Sequence, residues 1–498
     1  MTQSELSRTL ESVFEKYPNL CVVGGAFGDE GKGKIAALLS HYYDVVARFA
    51  GGSNAGHTYF TSDGKKMVSH LIPCGLAAGK TCVIGRGVLV NLESLLGELD
   101  AAAQILGPIP AKAVLVDQQS VVWTPYHPIL EAYFEQVRGA GMIKTTGQGI
   151  GPMAGLHRLR TGVLVGELFA GSSYCKERLK QLHDALWPLF SEMARRDLLR
   201  GINIPSADQV ADGLLALAPK IRPMLSDTSF ELCGRQKRGA RILAEGAQST
   251  GLDLSWGTYP FVSSTMSTAA GAALGLGLPP ATFRHTLLVT KVLPTRVGAG
   301  PFPSEIWERE SAEQFPKSHP ELFRSGKPRA QYLKNVLVAV NAGSASNKDI
   351  ARYFQVLGDE RGATTGRGRS VGYLDLPWLR YAIRLNQPMA LALTRFDMLS
   401  GLKRIPVVTE YLLNGQLVPA GQMPPSWELA YVKPLCESWP CWPDDISGCC
   451  QEDLLPQSAR HFLTKLEREL GVPILLVGTG PKHADIILRA GAAERLAA

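Results

Sequence analysis

The sequence predicts an α/β fold, and three observations carry that prediction. Short apolar runs at residues 20–23, 44–49, 82–84 and 113–116 alternate with helical stretches through the first third of the chain, the pattern of strands interleaved with helices. Two of these runs lead straight into glycine-rich loops, Gly28-Asp29-Glu30-Gly31-Lys32-Gly33-Lys34 and Gly51-Gly52-Ser53-Asn54-Ala55-Gly56-His57-Thr58. In such folds ligands gather at the carboxyl ends of the strands, which makes both loops candidate binding elements. The bulk composition agrees. With 45% hydrophobic and 19% charged residues, the 498-residue chain is an ordinary globular sequence able to bury a large core, and length alone would suggest two or three domains.

The first element is a short helix within residues 1–18. Leu6, Leu10, Val13 and Phe14 share one helical face, Pro18 ends the pattern, and Glu5, Glu11 and Glu15 make it unlike an acid-poor transit peptide. In the first loop three glycines bare backbone N–H groups, Lys32 and Lys34 add positive charge, and Asp29 and Glu30 sit among them. That composition suits phosphates and a divalent metal, with a carboxylate held at a reacting atom. The spacing Gly28-x4-Gly33-Lys34 matches most of a Walker A loop, but Ile35 stands where that loop needs a hydroxyl for magnesium. This is a phosphate loop of another kind. The second loop offers close backbone approach, amide donors and the titratable imidazole of His57.

Further along, residues 173–240 are helical in pattern, with leucines at 179, 182, 186 and 189, and read as a structural insert. The glycine alternation at 271–277 follows no strand and is not a dinucleotide loop. A formal charge of +7 without any Lys/Arg run argues against nucleic acid. The nine cysteines read as reduced thiols; Cys436, Cys441, Cys449 and Cys450 crowd together but lack the spacing of a tetrahedral zinc centre. No segment has the uninterrupted apolar length of a bilayer span, so a cytoplasmic location is expected.

The two loops resemble those of the adenylosuccinate synthetases, GTP-dependent ligases that join aspartate to inosine monophosphate (IMP). The resemblance runs from Cys21 to about Leu488. Its later landmarks are Thr145-Thr146-Gly147-Gln148-Gly149-Ile150-Gly151-Pro152, Glu245-Gly246-Ala247-Gln248, Gly257-Thr258-Tyr259-Pro260 and Thr295-Arg296-Val297-Gly298-Ala299-Gly300-Pro301-Phe302-Pro303. They continue with Gly362-Ala363-Thr364-Thr365-Gly366-Arg367, Leu393-Thr394-Arg395-Phe396-Asp397 and Gly478-Thr479-Gly480-Pro481. The resemblance implies one large catalytic domain, about 19–490, built on a central, mostly parallel sheet. Residues 1–18 would then be an extension, 173–240 a helical insert and 491–498 a tail. Residues 305–361 depart from the family pattern as an insertion, proline-punctuated early, apolar at 336–340 and helical around 350–356.

The resemblance also implies roles. The keto oxygen at C6 of IMP is a poor leaving group, so GTP must phosphorylate it, and a base must first take the N1 proton. Asp29 matches that base and a magnesium ligand, His57 the acid beside the γ-phosphoryl group, and Lys32 a stabiliser of charge on it. The Gly56 carbonyl is the second expected oxygen on Mg2+. GTP would meet Gly28, Glu30, Gly31, Gly33, Lys34, Gly56, Thr58, Gly478, Gly480 and Pro481, with its base read by Arg395 and Asp397. IMP would meet Asn54, Thr145, Thr146, Gln248, Ser263, Val297 and Arg367, with Arg160 reaching in from the second subunit of a homodimer. Aspartate would meet Thr364, Thr365, Arg367 and Arg369.

The chain departs from the pattern at a few positions. Arg395 stands for the usual lysine, Met266 for an asparagine, and Ala26-Phe27 for a glutamine–tryptophan pair. These leave two other readings open: a ligase acting on a guanine (deoxy)monophosphate to give a 2-amino-succinyladenylate, and a nucleotide-binding regulator without catalysis.

Overall fold

The molecule, described from a computed structural model over residues 3–61, 63–198, 202–362 and 366–497 with side chains from residue 8 onward, is built on one ten-stranded sheet. The side chains of Glu5 and Leu6, and Thr364 and Thr365 entirely, lie outside the described residues. In chain order the strands are β1 (Asn19–Gly24), β2 (Val45–Arg48), β3 (Thr81–Ile84), β4 (Val114–Asp117) and β5 (Leu225–Ser226). Then come β6 (Ile242–Ser249), β7 (His285–Lys291), β8 (Ala390–Thr394), β9 (Ile474–Gly478) and β10 (Ile486–Leu488). They lie in the order β10-β9-β8-β7-β1-β6-β2-β3-β4-β5, and every neighbouring pair is parallel except β9 with β10.

Strands covered on both faces read as continuous apolar runs, which is why β1 to β4 stand out in the sequence. Helices Lys32–Ser40, Leu92–Leu106, Ser172–Arg195 and Ala207–Ile221 build the core on one face of the sheet; Ala270–Leu276, Leu376–Asn386 and Gln457–Leu470 build it on the other. In the long helix Ser172–Arg195, Leu179, Leu182 and Leu186 are buried and Leu189 packs at the margin, as their helical spacing requires. The N-terminal helix Gln3–Glu15 buries Leu10, Val13 and Phe14. It lies beside the last helix, Ala490–Ala497, where Tyr17 Oη donates to the Leu496 carbonyl at 2.9 Å.

Two outlying pieces matter for the site. A hairpin of His57–Phe60 and Lys66–Ser69 sets His57 at the start of a strand. The stretch 305–361 folds into helices Arg309–Ser318, Lys327–Asn341 and Asn347–Leu357. Its apolar run 336–340 lies in the middle of these three, with Val338 turned to solvent at 64% exposure. Because nine of the ten strands run the same way, the loops that follow β1, β2, β6, β7, β8 and β9 all emerge at one edge of the sheet.

Candidate active site

The loop after β1 turns sharply enough to expose its amides. Gly28, Asp29 and Gly31 have φ of 97°, 58° and 85°, a left-handed path that only glycine follows without strain and that Asp tolerates better than bulky residues. Gly33 is required for another reason: a Cβ there would stand 2.8 Å from the His57 Cβ, so the hairpin packs directly on the first turn of helix Lys32–Ser40. Glu30 is buried inside the loop. Its carboxylate accepts from the N–H groups of Ala26 (3.1 Å) and Gly28 (3.0 Å), pairs with Lys32 Nζ at 2.7 Å and accepts from Ser249 Oγ at 2.5 Å. Burial pushes that carboxyl up, but Lys32 and Ser249 outweigh it and hold it below the usual range.

His57 is buried against a charged cluster. Its Nδ1 lies 2.5 Å from Glu245 Oε1, Arg48 Nη2 is 3.0 Å from the same oxygen, and the Cys74 N–H donates to Glu245 Oε2 at 2.8 Å. Arg48 and Glu245 are register partners in β2 and β6, so the sheet itself brings them together. Burial raises the Glu245 carboxyl, yet Arg48 and the hydrogen bond from His57 bring it to about 2. Burial and Arg48 lower the imidazole, which is therefore neutral at pH 7 and donates Nδ1–H to a carboxylate. Its Nε2 is buried and has no partner among the described residues.

Asp29 faces a second chain of charges. Arg369 Nε lies 2.8 Å from Asp29 Oδ2, Arg369 Nη1 donates to Glu360 Oε2 at 2.9 Å, and Lys291 Nζ pairs with Glu360 Oε1 at 2.8 Å. Another set gathers at the ends of β8 and β9. Lys34 Nζ donates to the carbonyls of Gly480 (2.7 Å) and Asp485 (2.8 Å), and Thr394 Oγ1 donates to the Glu30 carbonyl at 2.7 Å. Burial lowers Lys34 to about 8 against the pull of Asp485 and Asp397. Asp397 is pushed up by burial, and its Oδ1 has no partner among the described residues.

Residues 21–487 match the family model described as adenylosuccinate synthetase. The chain belongs to the adenylosuccinate synthetase family. It is 37% identical over 477 residues to the adenylosuccinate synthetase of Myxococcus xanthus, spanning 95% of this chain and 98% of that protein. It is 36% identical to that of Nitratidesulfovibrio vulgaris strain Hildenborough, spanning 95% and 100%. Among solved structures, fully ligated adenylosuccinate synthetase from Plasmodium falciparum superposes with a TM-score of 0.78 at 28% identity, covering 94% of this chain and 99% of that one. The succinoaminodeoxyadenylate synthetase of cyanophage S-2L, bound to dGMP and dATP, superposes at 0.52 with 17% identity over 96% and 99%, a likeness of fold alone. The chain is thus a GTP-dependent carbon–nitrogen ligase that joins L-aspartate to IMP in purine nucleotide synthesis.

The adenylosuccinate synthetase motifs converge on one edge of the sheet. Gln248 Nε2 reaches Asn54 Oδ1 at 3.3 Å, Ser53 Oγ reaches Gln148 Oε1 at 3.3 Å, and Ser263 Oγ is buried without a partner among the described residues. Thr145 is anchored through its N–H to Glu135 Oε2 at 3.2 Å, while Thr146 is exposed. Val297 sits in a turn that Arg296 holds through the carbonyls of Ala299 (3.0 Å) and Pro301 (3.0 Å), joined to the 143–148 loop by Ala299 N–H on Ile143 at 3.1 Å. Arg367 Nη1 donates to the Lys144 carbonyl at 3.3 Å. Gly56 and Thr58 are exposed beside buried His57, and Gly478 and Gly480 lead to exposed Pro481.

Four placements differ from a simple ligand list. The Glu30 carboxylate is consumed within its own loop, so only its backbone is left for a nucleotide. Arg395, at φ 60°, sends Nη2 to the Gly358 carbonyl at 2.9 Å. Arg160 is exposed, at φ 66°. Phe27 packs against Phe302 and Trp378 with Arg296 over its ring, a packing role. Sequence reasoning gave no role to Glu245, Arg48, Glu360 or Lys291. For three of them the available signal was a charge within or ending an otherwise apolar strand: β2, β6 and β7.

Proposed function

We propose that Asp29, His57 and Lys32 carry the phosphoryl transfer that activates IMP, with the reaction passing through a 6-phosphoryl-IMP intermediate. The supporting observation is a set of buried polar atoms without partners among the described residues, one at each of three expected ligand positions: His57 Nε2, Ser263 Oγ and Asp397 Oδ1. Leaving such atoms unpaired costs about 1–3 kcal/mol each, a cost that a polar ligand removes.

In this reading Asp29 takes the N1 proton of IMP, and O6 attacks the γ-phosphorus of GTP as the bond to the β-phosphate oxygen breaks. The amine of aspartate then attacks C6, and the C6–O bond breaks to release phosphate. His57 meets the γ-phosphoryl group through Nε2; the negative charge arriving there raises the imidazole's affinity for a proton, and Glu245 holds the ring by Nδ1. Lys32 and the loop amides face the same oxygens. Asn54, Thr145, Thr146, Gln248, Ser263, Val297 and Arg367 hold IMP. Thr364, Thr365, Arg367 and Arg369 hold aspartate, where a guanidinium can grip a carboxylate through two parallel hydrogen bonds.

Magnesium fits the oxygen donors at hand. Asp29 presents a carboxylate with 35% of its side chain exposed, and Gly56 is an exposed residue with nothing within 4 Å of the position a Cβ would take. Bound there, the ion would neutralise phosphate charge as GTP reacts. We place the enzyme in the cytoplasm as a homodimer with Arg160 entering the partner's IMP site; the exposed, unabsorbed position of Arg160 supports this. Among the described residues no helix is long and apolar enough to cross a membrane.

The test is phosphate release by purified protein with each substrate omitted in turn. Release that requires IMP, GTP and L-aspartate together is expected. Sustained GTP hydrolysis without IMP would refute the proposed order of steps, in which O6 of IMP is the phosphoryl acceptor.

A further inference from the structure

The helices between 309 and 357 have no part in the chemistry above, yet they touch the loop that bears Arg367 and Arg369. Gln355, only 1% exposed, donates from Nε2 to the carbonyls of Ala312 (2.8 Å) and Arg369 (3.2 Å), tying helix Arg309–Ser318 to that loop. Gly368 lies directly beneath. Its N–H reaches the Glu313 carbonyl at 3.3 Å, and a Cβ there would stand 2.1 Å from the Ala312 oxygen and 2.4 Å from Gln355 Nε2. The loop and the helix are in backbone contact.

A second tie lies nearer the surface. Glu313 Oε2 pairs with Lys144 Nζ at 3.0 Å, with 18% and 29% of the side chains exposed, and the Lys144 carbonyl is the one that accepts from Arg367. Arg329 Nη2 supports the far end of helix Asn347–Leu357 through the carbonyls of Val356 (2.9 Å) and Leu357 (3.2 Å). Helices Arg309–Ser318 and Asn347–Leu357 thus hold the loop at Gly368, at Arg369 and, through Lys144, at Arg367, and helix Lys327–Asn341 supports the second of them.

We propose that the helical segment 309–357 is a brace that fixes the 366–369 loop in the geometry that grips aspartate. Gln355 is its positioning residue, and the Lys144–Glu313 pair is its second tie. The proposal rests on the reading of this loop as the aspartate site. A buried amide donating to two carbonyls cannot be replaced by an apolar side chain without leaving both unpaired, and among the described residues both side-chain hydrogen bonds of Gln355 go to helix Arg309–Ser318 and the 366–369 loop.

The experiment uses the full chain and measures kcat and the KM of each substrate for Gln355→Met, Glu313→Gln and Lys144→Met. Gln355→Met should raise the aspartate KM about tenfold, with kcat within threefold and the GTP and IMP KM within twofold. Glu313→Gln and Lys144→Met should each raise it roughly threefold, and the double variant no further than one of them, since they share one contact. If Gln355→Met does not fold, the part-exposed pair decides alone. Arg367→Leu is the control. Should it leave the aspartate KM unchanged, the loop is not the aspartate site and the proposal falls with that reading. Should it raise that KM while neither Gln355→Met nor Glu313→Gln does, the proposal alone falls. A lower melting temperature with every KM unchanged, or an equal rise in all three, likewise overturns it.

Discussion

Replacing Asp397 with asparagine should exchange the enzyme's nucleotide. Asp397 follows β8, is pushed above the usual carboxylate range by burial, and keeps Oδ1 buried without a partner among the described residues. Guanine offers N1–H and N2–H₂ side by side, so one carboxylate can accept from both and recover what burial costs it. Adenine offers no such pair. Two hydrogen bonds to a charged acceptor contribute about 1.5–3 kcal/mol each, and losing one while leaving the other costs about 3 kcal/mol, roughly a hundredfold in kcat/KM. Asparagine presents a donor beside an acceptor, the complement of xanthine, whose C2 carries a carbonyl. Arg395 does not oppose the exchange, because its guanidinium is committed to the Gly358 carbonyl at 2.9 Å. The assay is kcat/KM for GTP, ATP and XTP with parent and Asp397→Asn proteins. A parent that prefers ATP, or a variant whose GTP-to-XTP ratio does not move, would refute the assignment of Asp397.

Asp29→Asn should lower kcat by about a hundred- to ten-thousand-fold while GTP still binds, since an amide cannot take the N1 proton; turnover within threefold of the parent would remove Asp29 from the mechanism. Mixing Asp29→Asn with Arg160→Leu subunits should recover activity, because one site of each heterodimer would carry both lesions and the other neither; no recovery despite subunit exchange counts against a shared site. His127 is buried, accepts the Thr124 N–H at 2.8 Å and titrates at about 4 instead of 6.5. The folded state therefore binds its proton less readily than the unfolded one, so this contribution is intact above pH 6.5 and is lost as pH falls from 6.5 to about 4. That loss is about 3 kcal/mol. Denaturant unfolding of the parent and of His127→Gln at pH 7 and pH 4.5 should show the parent losing more stability on acidification; equal losses would exclude His127.

Much of the fold was legible because buried parallel strands announce themselves. The runs at 20–23, 44–49, 82–84 and 113–116 became β1 to β4 with shifts of a residue or so at their ends. The two-residue strand Leu225–Ser226 has no such signature, and the hairpin strands Arg404–Leu413 and Lys433–Pro440 alternate weakly and carry many exposed residues. The run 336–340 shows the limit of composition: it is strand-like in its valines, yet it lies in a helix that buries no residue fully. The site divides the same way. Loops such as Gly28–Lys34 are contiguous, so their chemistry can be read along the chain. Glu245 and Arg48 are partners only because β6 and β2 are neighbours in register, and Glu360 meets Lys291 and Arg369 only through folding. A charge inside an apolar strand says that it has a partner; the topology says which.

The electrostatics of this edge follow from that pairing. Three fully buried carboxylates stand behind the phosphate loop: Glu30 with Lys32, Glu245 with Arg48 and His57, and Glu360 with Lys291 and Arg369. Burying an unpaired charge costs several kcal/mol, so each carboxylate fixes the place of the cations around it. Two of those cations, Lys32 and Arg369, are also the ones expected to meet substrates, and Arg369 already holds Asp29. The cations are therefore preorganised without a ligand and are not free to collapse onto one another. Placing a dense group of cations at the ends of parallel strands, where helix Lys32–Ser40 also begins and presents its N-terminal amides, suits a reaction in which negative charge spreads over phosphoryl oxygens. It also explains why the buried acids cannot be the proton acceptors. Glu245 and Glu360 are fully buried and their oxygens are taken up by Arg48, His57, Lys291 and Arg369, so no substrate proton can reach them. Asp29, at the exposed rim with 35% of its side chain accessible, is the carboxylate left within a substrate's reach.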